Sequence, residues 1–365
     1  MYLAWKEIKY SRGRFFFMTV IVALLAYLVF FVSGLANGLS EDNAAAIERF
    51  GHQTFILQKD ADRNITRSRL SVNTTGQLRE RLGEKKTAAL NIYSTSVRRV
   101  GQSRKIDLTF FHTSGAVATP TPFSGHKPPR HSTTDLIIDR SVERNGIHLN
   151  NRIKGGADKP IFKIVGLARN ATFSHMPVAY LNDAQWKKLE ATPGQAGYSA
   201  VLTTLSVHQA KKLTDSLHLK QEVTIIPTAD VVRALPGYAE EQGSLKMMIA
   251  FLLVISIFIL GIFFYIITMQ KEALFGTLKA IGTGTGYLVR SLVSQTLITL
   301  ALSLATALAM TELTAGLLPA GMPFSLGPGL IVERLAAFIL ISLVSILLSV
   351  RQIIRLGAQQ TMEGE

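Results

Sequence analysis

Four stretches of this chain carry no charged residue for long enough to cross a lipid bilayer: residues 15–40, 247–270, 291–311 and 335–350. At about 1.5 Å of rise per residue, helices of these lengths reach across a hydrocarbon core of about 30 Å, the fourth by borrowing residues 330–332. Backbone inside lipid must satisfy its own hydrogen bonds, so each stretch has to be a helix. The first resembles a signal peptide only in its small-x-small Ala36-Asn37-Gly38; its apolar run exceeds a signal core, and we read it as a retained span.

Between the first and second spans lies a polar insert. Mean hydropathy of +0.26 is high for a soluble protein, yet 18% charged residues is high for a wholly embedded one. The two values fit a few spans plus a large water-facing domain. Residues 41–246 hold 29 of the 39 Lys and Arg and 19 of the 25 Asp and Glu, a net +10. These basic residues are scattered, which fits a solvated surface near anionic headgroups better than a nucleic-acid footprint. No nucleic-acid partner is expected. The chain has no cysteine, so disulfides and thiolate chemistry are excluded.

Charge flanks orient the spans. Lys6, Lys9, Arg12 and Arg14 precede the first, Lys271, Lys279 and Arg290 lie in the 271–290 loop, and Arg351 and Arg355 follow the fourth. All fall on one side of a four-span chain. Both termini are therefore expected in the cytoplasm and the insert outside a cell membrane. The expected fold is an α-helical membrane protein with four transmembrane helices and a mixed α/β extracytoplasmic domain between helices 1 and 2. The expected divisions are 1–40, 41–245 and 246–365.

In the insert, runs rich in β-branched and aromatic residues predict strands at 53–58, 105–111, 136–139, 162–165 and 223–226. Helices are predicted at 184–191 and 207–217. The Pro-, Ser- and Gly-rich stretch 112–134 reads as an exposed loop. Ser40, followed by Glu41 and Asp42, reads as an N-cap opening an amphipathic helix over 44–50 along the outer surface. Glu41 and Glu48 would share one face of it, either as ordinary surface charge or as carboxylates at the mouth of a cleft. Gly34 and Gly38 form a G-x-x-x-G pair suited to close helix packing between two copies of the chain, or to fraying at the interface. Glu312 and the Glu333–Arg334 pair flank the Pro/Gly loop 316–329, as an ion pair or as substrate contacts.

Catalytic signatures are missing. The eight histidines show no H-x-x-x-H spacing and read as solvated imidazoles. Gly282, Gly284 and Gly286 lack the lysine and hydroxyl of a phosphate loop and are expected to form a bend. There is no Walker motif, so the chain is expected to be non-catalytic, with ATP bound by a separate subunit.

The stretch 271–282, with Glu272, Gly276, Leu278, Lys279, Ala280 and Gly282, resembles the signature between the second and third spans of MacB-type (FtsX-like) ABC permeases. One insert plus four spans resembles that architecture along the whole chain. Residues 1–9 (MYLAWKEIK) and 31–39 (FVSGLANGL) are similar to the haem-efflux permeases of Gram-positive bacteria. So are 176–180 and 235–238, whose tyrosines that family uses in haem handling. The resemblance implies a homodimer joined to two cytoplasmic ATPase subunits. ATP closure would push on 271–286 and drive haem out of the membrane. It implies no intrinsic cofactor; haem is the substrate, its iron the one metal in play. Carboxylate, tyrosinate, histidine or methionine can face that iron and arginine can pair with propionates. The candidates are Glu41, Glu48, Tyr180, Tyr238, Met247 and Met248, with Arg49 for a propionate. A non-transporting mechanotransmitter acting on a cell-wall hydrolase, or export of another amphiphile, remains the alternative.

Overall fold

The computed structural model describes residues 9–115, 120–129, 131–155, 160–190, 197–217, 219–271, 276–278, 281–319 and 322–362. The chain divides into two compact units, Met1–Gly38 with Gly243–Glu365, and Leu39–Gln242.

In the first unit, the four apolar stretches lie on α1 (Arg12–Glu48), α6 (Tyr238–Gln270), α7 (Thr285–Leu317) and α8 (Pro328–Met362). All four are long and apolar enough to cross a membrane. Their shared core draws Met18, Val22, Ala26 and Phe30 from α1, Leu260 and Ile267 from α6, Leu292, Leu300 and Leu304 from α7, and Phe338 and Ile341 from α8. Hydroxyls tie the helices where lipid offers no alternative partner. Ser303 Oγ donates to the Thr19 carbonyl at 3.1 Å, and the Tyr27 and Thr314 hydroxyls meet at 3.2 Å. The α6 helix is the least covered, with Phe251, Phe258, Ile262 and Tyr265 exposed along it.

Gly34 and Gly38 find their partner within the chain. The segment between α7 and α8 lies against this face of α1. A methyl on Gly34 would come 2.5 Å from the Phe324 ring, and one on Gly38 would come 2.5 Å from the Pro323 carbonyl carbon. Ser325 N–H donates to the Gly34 carbonyl at 3.0 Å, and the Asn37 amide donates to the Ser325 carbonyl at 3.3 Å. The expectation that the pair packs two copies together is thus corrected: both small residues are covered by a loop of the same chain. Nearby, Arg334 donates to Ser33 Oγ at 3.0 Å and pairs with Glu333 at 3.0 Å, as an ion pair at the start of α8.

The second unit is an eleven-stranded sheet with helices α2 (Val72–Leu82), α3 (Asp183–Glu190), α4 (Val207–Asp215) and α5 (Thr228–Arg233). Its strands are β1 (Thr54–Gln58), β2 (Thr87–Arg99), β3 (Lys105–Gly115), β4 (Ser124–Gly125), β5 (Asp135–Asp139), β6 (Arg152–Lys154), β7 (Ile161–Ala168), β8 (Thr172–Phe173), β9 (Met176–Leu181), β10 (Ala200–Thr203) and β11 (Val223–Pro227). The main path runs β11-β1-β10-β2-β3-β9-β5-β7-β4. The long antiparallel pair β2–β3 forms its spine, in register from Ala88↔Gly115 to Arg98↔Lys105. Ser71 caps α2, and Ser206 with Gln209 forms a capping box on α4. One face packs Ile56, Leu70, Leu78, Val201, Ala210 and Ile225; another packs Phe55, Leu57, Leu90, Phe111, Phe173 and Leu202.

Two local expectations change. Ser40 caps nothing, because α1 runs on unbroken to Glu48. Residues 44–50 do not lie along the surface: Ala44, Ala46 and Ile47 are buried in the α/β core. Apolar burial keeps the helix going where the local sequence suggests a new start. The supposed loop 112–134 also begins as strand, since β3 extends to Gly115 and pairs along β2. His112 is buried there, stacked on Trp186 with ring centroids 5.3 Å apart and Nε2 2.7 Å from Asp183 Oδ1. It is not a solvated imidazole. Residues 116–119 and 130 of that stretch, and His218, lie outside the described residues.

Candidate functional site

The α/β unit gathers several of the expected residues around the last turns of α1. Ser40 Oγ meets the Tyr238 hydroxyl at 2.7 Å, so the first residues of α6 are tied to α1 through a candidate tyrosine. Glu41 and Glu48 stand on the same helix beyond the charge-free stretch. Partial desolvation raises the Glu48 carboxyl above its ordinary value, and the like charge of Glu41 adds to the shift. The side chain still reaches solvent.

The tight turn between β8 and β9 docks on this stretch of helix. Thr172 Oγ1 donates to the Glu41 carbonyl at 3.2 Å, and Ser174 N–H donates to the Asn43 carbonyl at 2.8 Å. With Phe173 paired to Met176, the turn has two central residues, Ser174 at φ 48° and His175 at φ 61°. Both are left-handed, a conformation such turns usually give to Asn and Gly, so this one carries strain. It places His175 between two carboxylates: Nδ1 is 3.0 Å from Asp42 Oδ2, and Nε2 is 3.8 Å from Glu241 Oε2. The His175 side chain is 45% exposed, so the ring is oriented and still open. Reading the sequence missed this residue, because no neighbour in the chain marks it; its partners lie far away on α1 and α6.

Two candidates take other work. Tyr180 is buried in the α/β core against Phe111, and its hydroxyl has no hydrogen-bond partner among the described residues. Burial pushes its phenol well above the ordinary value, with the positive charge of Arg49 opposing and the negative charge of Asp139 adding. An iron ligand needs an open face, so the structure corrects this candidate to a core residue. Arg49 donates through Nη2 to the carbonyls of Arg169 and Asn170, the latter at 3.2 Å. It clamps the turn before β8, a competing use of the group expected to pair with a propionate. Met247 and Met248 are exposed on α6, in the other unit. A groove of about 600 Å³ along β11, lined by Lys211, Asp215 and Ile225, contains none of the expected residues.

At the opposite end of α6, polar side chains join three helices. Lys271, 5% exposed, donates through Nζ to Gln295 Oε1 on α7 at 2.6 Å, and Arg14 on α1 donates to Gln270. A buried ammonium needs such partners. Gly282, at φ 93°, ends the helical turn of 276–278, with Thr283 N–H donating to the Leu278 carbonyl at 2.9 Å. A left-handed glycine beneath such a bond is common where a helix stops. Gly284 then takes the N-cap position of α7. The expected bend is present. Gly276 and Leu278 are described; Glu272, Lys279 and Ala280 lie outside the described residues.

Residues 246–358, which take in α6, α7, α8 and this bend, match the model of the FtsX-like permease C-terminal family. They form an FtsX-like permease domain. The chain is also 28% identical over 370 aligned residues to a hemin transport system permease of Staphylococcus epidermidis, covering 100% of this chain and 99% of that one. It is 25% identical to the corresponding protein of Staphylococcus haemolyticus, again across 100% of this chain and 99% of its relative. Similarity to these homologues extends beyond the permease domain through the α/β insert. Among solved structures, the periplasmic region of MacB from Actinobacillus actinomycetemcomitans aligns with a TM-score of 0.36 at 12% identity, covering 50% of this chain and 91% of that one. Along its whole length the chain is thus similar to permease subunits of hemin transport systems.

Proposed function

We propose that the chain exports haem across the cell membrane, as a homodimer driven by two copies of a separate cytoplasmic ATPase. The observation that carries this reading is the full-length match to hemin transport permeases. Both termini and the 271–286 segment face the cytoplasm in this reading, as the basic flanks argue, and the α/β insert faces outward. ATP-driven closure of the motor pushes on the turn ended by Gly282. The Lys271–Gln295 and Arg14–Gln270 contacts pass that push from α6 into α7 and α1. The α1 and α6 helices then carry it toward Glu41, Glu48 and Tyr238, where haem leaves. Haem is a flat amphiphile that partitions into lipid, so it needs a site open beside the helices rather than a sealed tunnel.

The test is reconstitution in lipid nanodiscs. The purified chain alone should hydrolyse no ATP above background, and its complex with the ATPase should hydrolyse ATP faster when hemin is added. Cells without the chain should become more sensitive to hemin. Hydrolysis by the isolated chain would end the separate-motor reading. Unchanged hemin tolerance together with hemin-insensitive ATPase activity would end the haem reading.

A further inference from the structure

We propose that the free edge of β11 takes up an extended segment of another polypeptide, as an added antiparallel strand of the sheet. This activity goes beyond haem export and does not depend on it.

β11 ends the strand order and, among the described residues, pairs with β1 alone. The register decides which of its backbone groups are left over. Lys59 N–H donates to the Glu222 carbonyl at 2.9 Å, and Thr228 N–H donates to the Gln53 carbonyl at 3.1 Å. Hydrogen-bonded pairs therefore fall at every second position, and Thr224 and Ile226 turn their amides toward β1. Val223 and Ile225 turn theirs away. The N–H and C=O groups of these two residues have no hydrogen-bond partner among the described residues. Pro227 takes the next outward position, where a missing N–H costs the ladder nothing.

The groove of about 600 Å³ runs along this edge, and every residue of β11 lines it. Val223 and Ile225 pack on the α4 side of the sheet, and Val207 of α4 gives the groove an apolar wall. Unpaired strand edges are templates for a further strand unless charge or a covering segment blocks them. The charges here are balanced, Arg63 and Lys211 against Asp215 and Asp230, so a strongly charged polymer gains little from the lining. Two of them are also ordered along the strand. Gln58 pairs with Val223, so Arg63 follows β1 at that end, while Asp230 lies beyond Pro227 at the other. An antiparallel guest with a basic residue near its N-terminus and an acidic one near its C-terminus meets both. Outward backbone groups in strand register give such a guest its hydrogen bonds, and the wall takes its alternate apolar side chains. In the orientation proposed above, the guest is an extracytoplasmic polypeptide.

The probe is the end-blocked peptide Lys-Val-Thr-Val-Thr-Val-Glu, labelled with fluorescein and titrated by anisotropy into the full chain in nanodiscs. It should bind saturably. Val223→Pro removes an outward N–H at the first residue of an edge strand, where proline is tolerated, and should weaken binding about tenfold. Residue-resolved hydrogen exchange on the wild type needs no variant. Without peptide, the Val223 and Ile225 amides should exchange faster than those of Thr224 and Ile226, and saturating peptide should slow them about tenfold. No saturable binding, equal binding by a folded Val223→Pro, or binding that leaves those two amides unslowed would overturn the proposal. Slow exchange of both amides before peptide is added would also overturn it, and would point to a second copy of the chain on this edge.

Discussion

Replacing Gly38 with alanine tests the packing of the α7–α8 segment on α1 most directly. The new methyl would lie 2.5 Å from the Pro323 carbonyl carbon and 2.6 Å from Phe324 N and the Pro323 oxygen. These are backbone atoms, so no rotamer change can make room. The segment has to lift, and lifting it breaks the bonds from Ser325 N–H to the Gly34 carbonyl and from Asn37 to the Ser325 carbonyl. Each is worth about 0.5–1.5 kcal/mol, and overpacking adds about 1–3 kcal/mol if the segment stays. Alanine returns about 1 kcal/mol in helix propensity. The net expectation is a loss of about 1 kcal/mol, or about 1–2 °C in Tm for a protein of this size. Gly261 is the control: it is also helical, with nothing within 4 Å of a Cβ, so Gly261→Ala should be neutral or stabilising. Thermal unfolding of both variants in one detergent, followed by circular dichroism, reads the sign. A Gly38→Ala protein as stable as wild type would refute the docked segment.

Other residues make separate claims. Tyr180→Phe removes a buried hydroxyl without a partner among the described residues, so stability should hold or rise by up to about 1 kcal/mol and hemin spectra should not change; a spectral shift would restore Tyr180 as a ligand. The fold raises the Glu48 carboxyl, so its favourable contribution is complete below the ordinary carboxylate value and is lost as pH rises through the raised one. Glu48→Gln should therefore be more stable than wild type at neutral pH, with the advantage vanishing in acid, and melting curves across that range would reveal a pH-independent difference if this is wrong. With no native cysteine, Ser132→Cys should react with an impermeant thiol reagent in intact cells while Thr283→Cys should not; the reverse pattern would invert the proposed topology.

The four spans and much of the sheet were legible in the chain because their causes are local. A long charge-free stretch leaves lipid-immersed backbone only one solution, and β1, β3, β5, β7 and β11 announce themselves in clustered β-branched and aromatic residues. The bend at Gly282 was legible for the same reason, since a left-handed helix stop favours glycine. β2 was not, because Ala88, Ala89 and Asn91 dilute its strand signal and the strand is held by pairing with β3.

Everything that depended on a distant partner was decided only in three dimensions. Ser40 has the composition of a cap, yet Ala44 and Ile47 bury against strands far along the chain and the helix continues past it. Gly34 and Gly38 declared a close approach without naming the surface approached, which is a segment nearly three hundred residues away in sequence. Tyr180 looked like an open ligand and lies in the core, while His175 had no marking in its own neighbourhood and stands between Asp42 and Glu241. Hydrophobicity and backbone freedom belong to a residue and its immediate neighbours. The contacts of His175 belong to side chains that meet only after α1, the β8–β9 turn and α6 have folded together.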